Sequence, residues 1–224
     1  MKKNSTTSSR DTGSCGAGTL RRMGLDALYQ AIPHDSPILT LGATNSLVGD
    51  WLGLVPRWLS GSGLSPGPPE PEEQQLFRLS EDLLRSDPSI AHRSCDVGRS
   101  WDKIHYLLSA HRRGEAGTEV DTLCDFAVRG EAALGQNITS SQGPVRYTRP
   151  ATVVRIADVL SSRPPESLRR HLNAERMEQA GVYKFGAFDA TDDGWRLLLE
   201  AYCELRALYR GAATHREGVL AFML

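Results

Sequence analysis

The residues with the most chemical capacity lie in one short run, Cys95-Asp96-Val97-Gly98-Arg99-Ser100-Trp101-Asp102-Lys103-Ile104-His105-Tyr106-Leu107-Leu108. On a helix, His105 lies one turn beyond Trp101 and three residues beyond Asp102, so the three side chains are surface neighbours. A carboxylate within reach of an imidazole is the arrangement that orients a general base. The same residues also suit packing, with Trp101 and His105 facing the core and Asp102 paired locally to Arg99 or Lys103. A second candidate is Arg146 beside Tyr147, read as a loop ahead of a helix at 150. Its fork of donors suits a phosphate or carboxylate, or else it staples that loop to a helix C-terminus or a neighbouring acid. The packing reading is preferred for each, because catalysis needs a nucleophile or acceptor whose proximity no spacing supplies. No catalytic residue is therefore assigned, and Trp101, Arg146 and Tyr147 stand as ligand-binding candidates. The alternative is a small-molecule hydrolase or group-transfer enzyme using His105 and Asp102, with Arg146 as anion clamp.

Other chemistries lack their residues. His34, His92, His105, His111, His171 and His215 never fall into H-x-x-H, H-E-x-x-H or Cys/His ligand spacings, so no metal and no cofactor is expected. The glycines of Ser60-Gly61-Ser62-Gly63 are not followed by Lys-Ser or Lys-Thr, which rules out a P-loop. There is no dinucleotide fingerprint and no kinase set. The basic run Arg99, Lys103, His105, His111, Arg112 and Arg113 is offset by Asp96, Asp102, Glu115 and Glu119, and the whole chain has a net charge of −1. Nucleic acid is not expected as a partner. No apolar run approaches the roughly 20 residues of a membrane span. Cys15, Cys95, Cys124 and Cys203 are scattered without a C-x-x-C pair. That pattern, with a basic start lacking an apolar stretch, predicts reduced thiols and a cytoplasmic protein.

The elements that would position these residues follow from apolar spacing. Residues 1–22 are poor in apolar side chains and read as a disordered tail, with Met23 a possible functional start. Leu25-Asp26-Ala27-Leu28-Tyr29-Gln30-Ala31-Ile32 has an ambiguous period and is read as a strand ended by Pro33. A Pro/Gly-rich loop or insertion is expected over about 57–70. Helical stripes follow: Leu76, Leu79 and Leu83; Trp101, Ile104, His105 and Leu108; Val120, Leu123, Cys124 and Ala127, with Gly130 as terminator; and Val153, Ile156, Ala157 and Leu160, opened by Thr148 and Pro150. The strongest begins at Thr191 and carries Trp195, Leu198, Leu199, Tyr202, Leu205 and Tyr209, with Gly211 expected to stop it. Gly218-Val219-Leu220-Ala221-Phe222-Met223-Leu224 reads as a closing apolar strand. A strand near each end with helices between predicts an α+β fold, with both strands in one small sheet covered by amphipathic helices.

The segment 95–108, then Gly143-Pro144-Val145-Arg146-Tyr147, then Leu168-Arg169-Arg170-His171-Leu172 leading to Val182-Tyr183, and finally the helix over Ala201–Tyr209 with its terminal strand, resemble the YfbM-like family of uncharacterised bacterial proteins. The resemblance covers residues 23–224 and is strongest over 95–224. It implies one cytoplasmic α+β domain over 23–224 and brings no assigned functional residue. Met23-Gly24-Leu25 resembles the family's start, which opens a strand. Two departures stand out: Gly98 replaces an acidic residue at the turn into the Trp101 helix, where glycine still serves as an N-cap, and residues 40–70 are longer and richer in Pro and Gly. The combined expectation is a non-enzymatic binding protein whose partner is another protein or a small molecule, not nucleic acid and not a membrane. Oligomeric state is open.

Overall fold

The computed structural model describes residues 25–60, 70–109, 118–139 and 143–223. The expected tail over 1–22, Met23, and residues 61–69 of the expected loop lie outside them. Among the described residues five strands form one sheet: β1 (Ala27–Ile32), β2 (Ser94–Gly98), β3 (Ala132–Thr139), β4 (Gly143–Thr148) and β5 (Gly218–Met223), in the order β2-β1-β5-β4-β3. Every pairing is antiparallel, and the strands near the two ends of the chain lie side by side, from Ala27 opposite Met223 to Ile32 opposite Gly218. The fold is α+β.

The helices are α1 (Pro37–Thr44), α2 (Gly49–Leu52), α3 (Val55–Leu59), α4 (Pro71–Ser86), α5 (Trp101–Ser109), α6 (Glu119–Arg129), α7 (Pro150–Ser161), α8 (Pro165–Arg169), α9 (Ala174–Gln179) and α10 (Asp192–His215). They cover both faces of the sheet. On one face, Tyr29, Ala31, Val219 and Ala221 pack with Ile104, Leu107, Cys124, Val128, Val153, Ile156, Tyr202 and Tyr209. On the other, Ile32, Leu220 and Phe222 pack with Ile38, Leu52, Trp58, Leu59 and Leu76. A strand buried on both faces shows no alternation of apolar and polar residues. That explains why β1 looked ambiguous and β5 uniformly apolar.

Several expectations are corrected. Residues 57–59, expected to begin a loop, finish α3, and Trp58 and Leu59 are buried. Cys95–Gly98 is not an entry turn but strand β2, whose Cys95 and Val97 reach the core. Ser100, not Gly98, precedes α5, since the Ser100 carbonyl accepts the first helical hydrogen bond from Ile104 N–H at 2.9 Å. Gly98 instead takes φ 49°, where glycine is favoured, as β2 turns toward the helix. Thr148 closes β4, and α7 begins at Pro150 after Arg149. Val120 is 39% exposed, so that stripe starts one turn later, at Leu123. Gly211 does not stop α10. The helix runs to His215 and ends where Arg216 turns left-handed at φ 56°. Packing on Tyr209 and Ala212, both buried, outweighs the weak helix propensity of one glycine.

Candidate functional site

The first turn of α5 is built around the chain that enters β1. Trp101 Nε1 donates to the Leu25 carbonyl at 3.1 Å, and Leu25 N–H donates to the Tyr183 hydroxyl at 2.8 Å. The two rings stack with centroids 5.9 Å apart and 28° between planes. Tyr183 is held in turn by its own N–H, which donates to Asp102 Oδ2 at 2.8 Å. Trp101 is therefore half-buried against a partner 82 positions later in the chain, and the Trp101–Tyr183 pair grips the start of β1. Lys103, buried beside them, forms an ion pair with Asp189, whose other oxygen accepts the Gly186 N–H at 2.9 Å. This ties α5 to the turn ahead of α10.

One turn further along, His105 faces α6. Its Nε2 lies 3.0 Å from Asp125 Oδ1, while its Nδ1 is 4.0 Å from Asp102 Oδ1. Arg129, one turn after Asp125, spans both acids: 3.6 Å from Asp125 Oδ1 and 3.9 Å from Asp102 Oδ1. The His105 hydrogen bond holds the Asp125 carboxyl below the usual aspartate range despite desolvation, and the positive charges of Arg129 and Arg146 add to the effect. The local partners expected for Asp102 are a correction. Arg99 lies 3.6 Å from Asp26 and Lys103 pairs with Asp189. Asp102 serves a distant backbone N–H instead.

Arg146 and Tyr147 are not on a loop. They are neighbours on β4, and alternation along a strand sends them to opposite faces of the sheet. Arg146 Nε donates to the Gly130 carbonyl at 3.2 Å and Nη2 to the Glu131 carbonyl at 3.1 Å, beyond the C-terminus of α6. Gly130 leaves room for this approach: a Cβ there would lie 2.7 Å from Arg146 Cβ, and its φ of 78° favours glycine in any case. Tyr147 reaches the other face, where its hydroxyl is 3.0 Å from His34 Nδ1 and the rings stack. Burial and the charge of Glu131 push the Tyr147 hydroxyl up to about 12. The structure thus gathers Trp101, Asp102, His105, Asp125 and Arg129, with Arg146 within electrostatic reach and Tyr147 excluded. Asp125 and Arg129 were missed by sequence reasoning; their only signal was an i, i+4 charge pair on a helix.

Residues 68–222 match the family described as "Domain of unknown function (DUF1877)". The chain belongs to this family. Among curated proteins none matches it. A solved structure similar to the chain is that of a protein of unknown function, YfbM, from Escherichia coli, with 14% identity and a TM-score of 0.49 over 89% of this chain and 99% of that one.

The DUF1877 match takes in the α5–α6 cluster and, at the other end of β1, the Asp87, Arg93 and Glu217 members of a second polar group. There Arg93 Nη1 is 2.7 Å from Glu217 Oε1 and Nη2 pairs with Asp87. Gln30, fully buried, donates to the carbonyls of Ala31, Ile90 and Arg93 at 2.9–3.3 Å. Burial raises the Glu217 carboxyl above the usual glutamate range; Arg93 and His215 oppose the shift and Asp87 adds to it. Among the described residues no group of three or more His, Cys, Asp or Glu side chains is placed to hold a metal. No helix among them is long and apolar enough to cross a membrane.

The domain also carries concave surface away from these clusters. A cleft of about 170 Å³ is lined by Leu107, Arg163, Ser167, Leu168, Arg170 and His171. Another, of about 120 Å³, is lined by Ser161, Cys203, Arg206, Ala207 and Arg210.

Proposed function

We propose that this DUF1877 domain acts by binding another protein or a small molecule rather than by catalysis, and that it does so in the bacterial cytoplasm. One observation carries the reading: the side chains best suited to catalysis are already engaged as struts. Asp102 holds the Tyr183 N–H, His105 Nε2 faces Asp125, and Arg146 spends its Nε and Nη2 on two backbone carbonyls. With Asp102 committed to that N–H, it is not the carboxylate that orients the His105 imidazole. The side-on Nε and Nη2 edge of Arg146, one of the bidentate edges of the fork, is thereby taken up by the fold. The free thiols of the described residues, Cys95, Cys124 and Cys203, support a reducing compartment.

One distance favours the enzyme as second reading. His105 Nδ1 is 4.0 Å from Asp102, too far for a hydrogen bond, so one ring nitrogen lacks a tight carboxylate partner.

Thermal melts of His105→Gln and Arg146→Gln discriminate the two without any assay of substrate. Struts should lose roughly 1–3 kcal/mol each, because a paired group is left without its partner. Groups held for catalysis sit in locally unfavourable surroundings, so their removal should leave stability unchanged or raise it. A gain in both variants would overturn the binding reading and promote the enzyme.

A further inference from the structure

We propose that the cleft between the end of α5, the α7–α8 turn and the turn after α8 binds a small phosphate monoester. The proposal deepens the binding reading above by naming a ligand class. Three features point to it. First, the lining is one-sided in charge: Arg163 and Arg170 contribute, with Ser167 and His171 as further polar side chains, and no carboxylate is among the described lining residues. Arg169, next in sequence, is paired with Asp192, and that acid does not line the cleft.

Second, one cation is fixed in place. Arg163 Nη1 donates to the Leu108 carbonyl at 2.6 Å, and the Arg163 carbonyl accepts from the Tyr202 hydroxyl at 2.9 Å. A guanidinium held by its own fold loses little side-chain freedom when an anion arrives, and its remaining donors suit a tetrahedral oxyanion. Arg170 is exposed at the rim, with its Nε 3.1 Å from His171 Nε2 and no carboxylate partner among the described residues. It can therefore turn its terminal donors inward.

Third, the floor is apolar. Leu107 and Leu168 are 2% and 4% exposed. Free phosphate would leave the rest of the cleft to water, whereas the carbon body of an ester would fill it against these side chains. A volume of about 170 Å³ falls below that of drug-sized sites and accommodates a phosphoryl group with a short carbon chain or one ring.

Titration calorimetry on the full chain, with phenyl phosphate and inorganic phosphate as probes, tests the assignment. The expected result is saturable binding of phenyl phosphate, about tenfold or more tighter than inorganic phosphate. Arg170→Gln should weaken it by about tenfold or more, the scale of one lost charge-assisted hydrogen bond. Arg196→Gln, which removes a charge between Asp193 and Glu200 elsewhere on α10, should leave it unchanged. No saturable binding overturns the proposal. So does inorganic phosphate binding as tightly as the ester, or equal weakening in the two variants, which would mark unspecific charge attraction. None of these outcomes alters the melts of His105→Gln and Arg146→Gln, so the ligand class and the binding reading fail separately.

Discussion

The backbone N–H of Tyr183 donates to Asp102 Oδ2 at 2.8 Å across a separation of 81 residues. That bond docks the segment between α9 and α10 onto the first turn of α5. It also places the Tyr183 ring against Trp101 and its hydroxyl at the start of β1. A carboxylate that sequence alone would pair with a base one turn away is a fastener between distant parts of the chain. Asp102→Ala should cost about 1–3 kcal/mol by stranding the Tyr183 N–H. Asp102→Asn, which keeps an acceptor oxygen, should cost clearly less. Chemical denaturation of both variants checks this, and equal losses would show that charge rather than the hydrogen bond matters.

Asp125 supplies a pH dependence of known sign. Its folded-state pKa lies below the usual 3.8, so its contribution to stability is present above that value and is lost as pH falls through the lower, folded value. His105 is the largest lowering influence. Melting temperatures of wild type and His105→Gln, followed from neutrality into the acid range, should therefore converge below about pH 4. A constant gap across that range would show that His105 stabilises the fold by packing alone.

Glu217 acts with the opposite sign. Its folded-state pKa is raised above 4.5, so the folded protein holds that proton more tightly than the unfolded chain. Stability is lost as pH rises from about 4.5 through the folded value. Glu217→Gln cannot titrate, and its amide oxygen can still accept from Arg93. The melting temperature of the variant minus that of wild type should increase with pH over this window. A difference that falls instead would mean that the Arg93 ion pair outweighs the cost of burying the charge.

Gly218 and Tyr147 test the packing between β4 and β5. A Cβ on Gly218 would lie 2.1 Å from the Tyr147 hydroxyl oxygen and 2.3 Å from the ring. Gly218→Ala should lose about 1–3 kcal/mol from overpacking. Adding Tyr147→Ala should recover part of that loss, read as a favourable coupling in a double-mutant cycle. An unchanged melting temperature for Gly218→Ala would mean that the ring swings out without cost.

Local order was legible in the residues themselves. The Thr191 cap, the apolar stripe of α10, the Gly130 stop and the apolar run of β5 each depend on interactions within a few residues, and each stands where the sequence places it. The α+β class and the pairing of the strands near the two ends were legible too, because a strand so apolar must be covered on both faces. What tertiary structure decided was the employment of the polar side chains. Asp102 meets Tyr183, His105 meets Asp125, Lys103 meets Asp189 and Arg93 meets Glu217, and each choice joins residues that only folding brings together. Local spacing offered Asp102 several acceptable neighbours of similar small worth. A buried N–H without a partner costs far more than a surface ion pair yields, so the distant backbone claimed the carboxylate. The same logic moved Arg146 from an expected loop to a strand: the carbonyls beyond α6 needed a donor, and only the sheet could carry one to them.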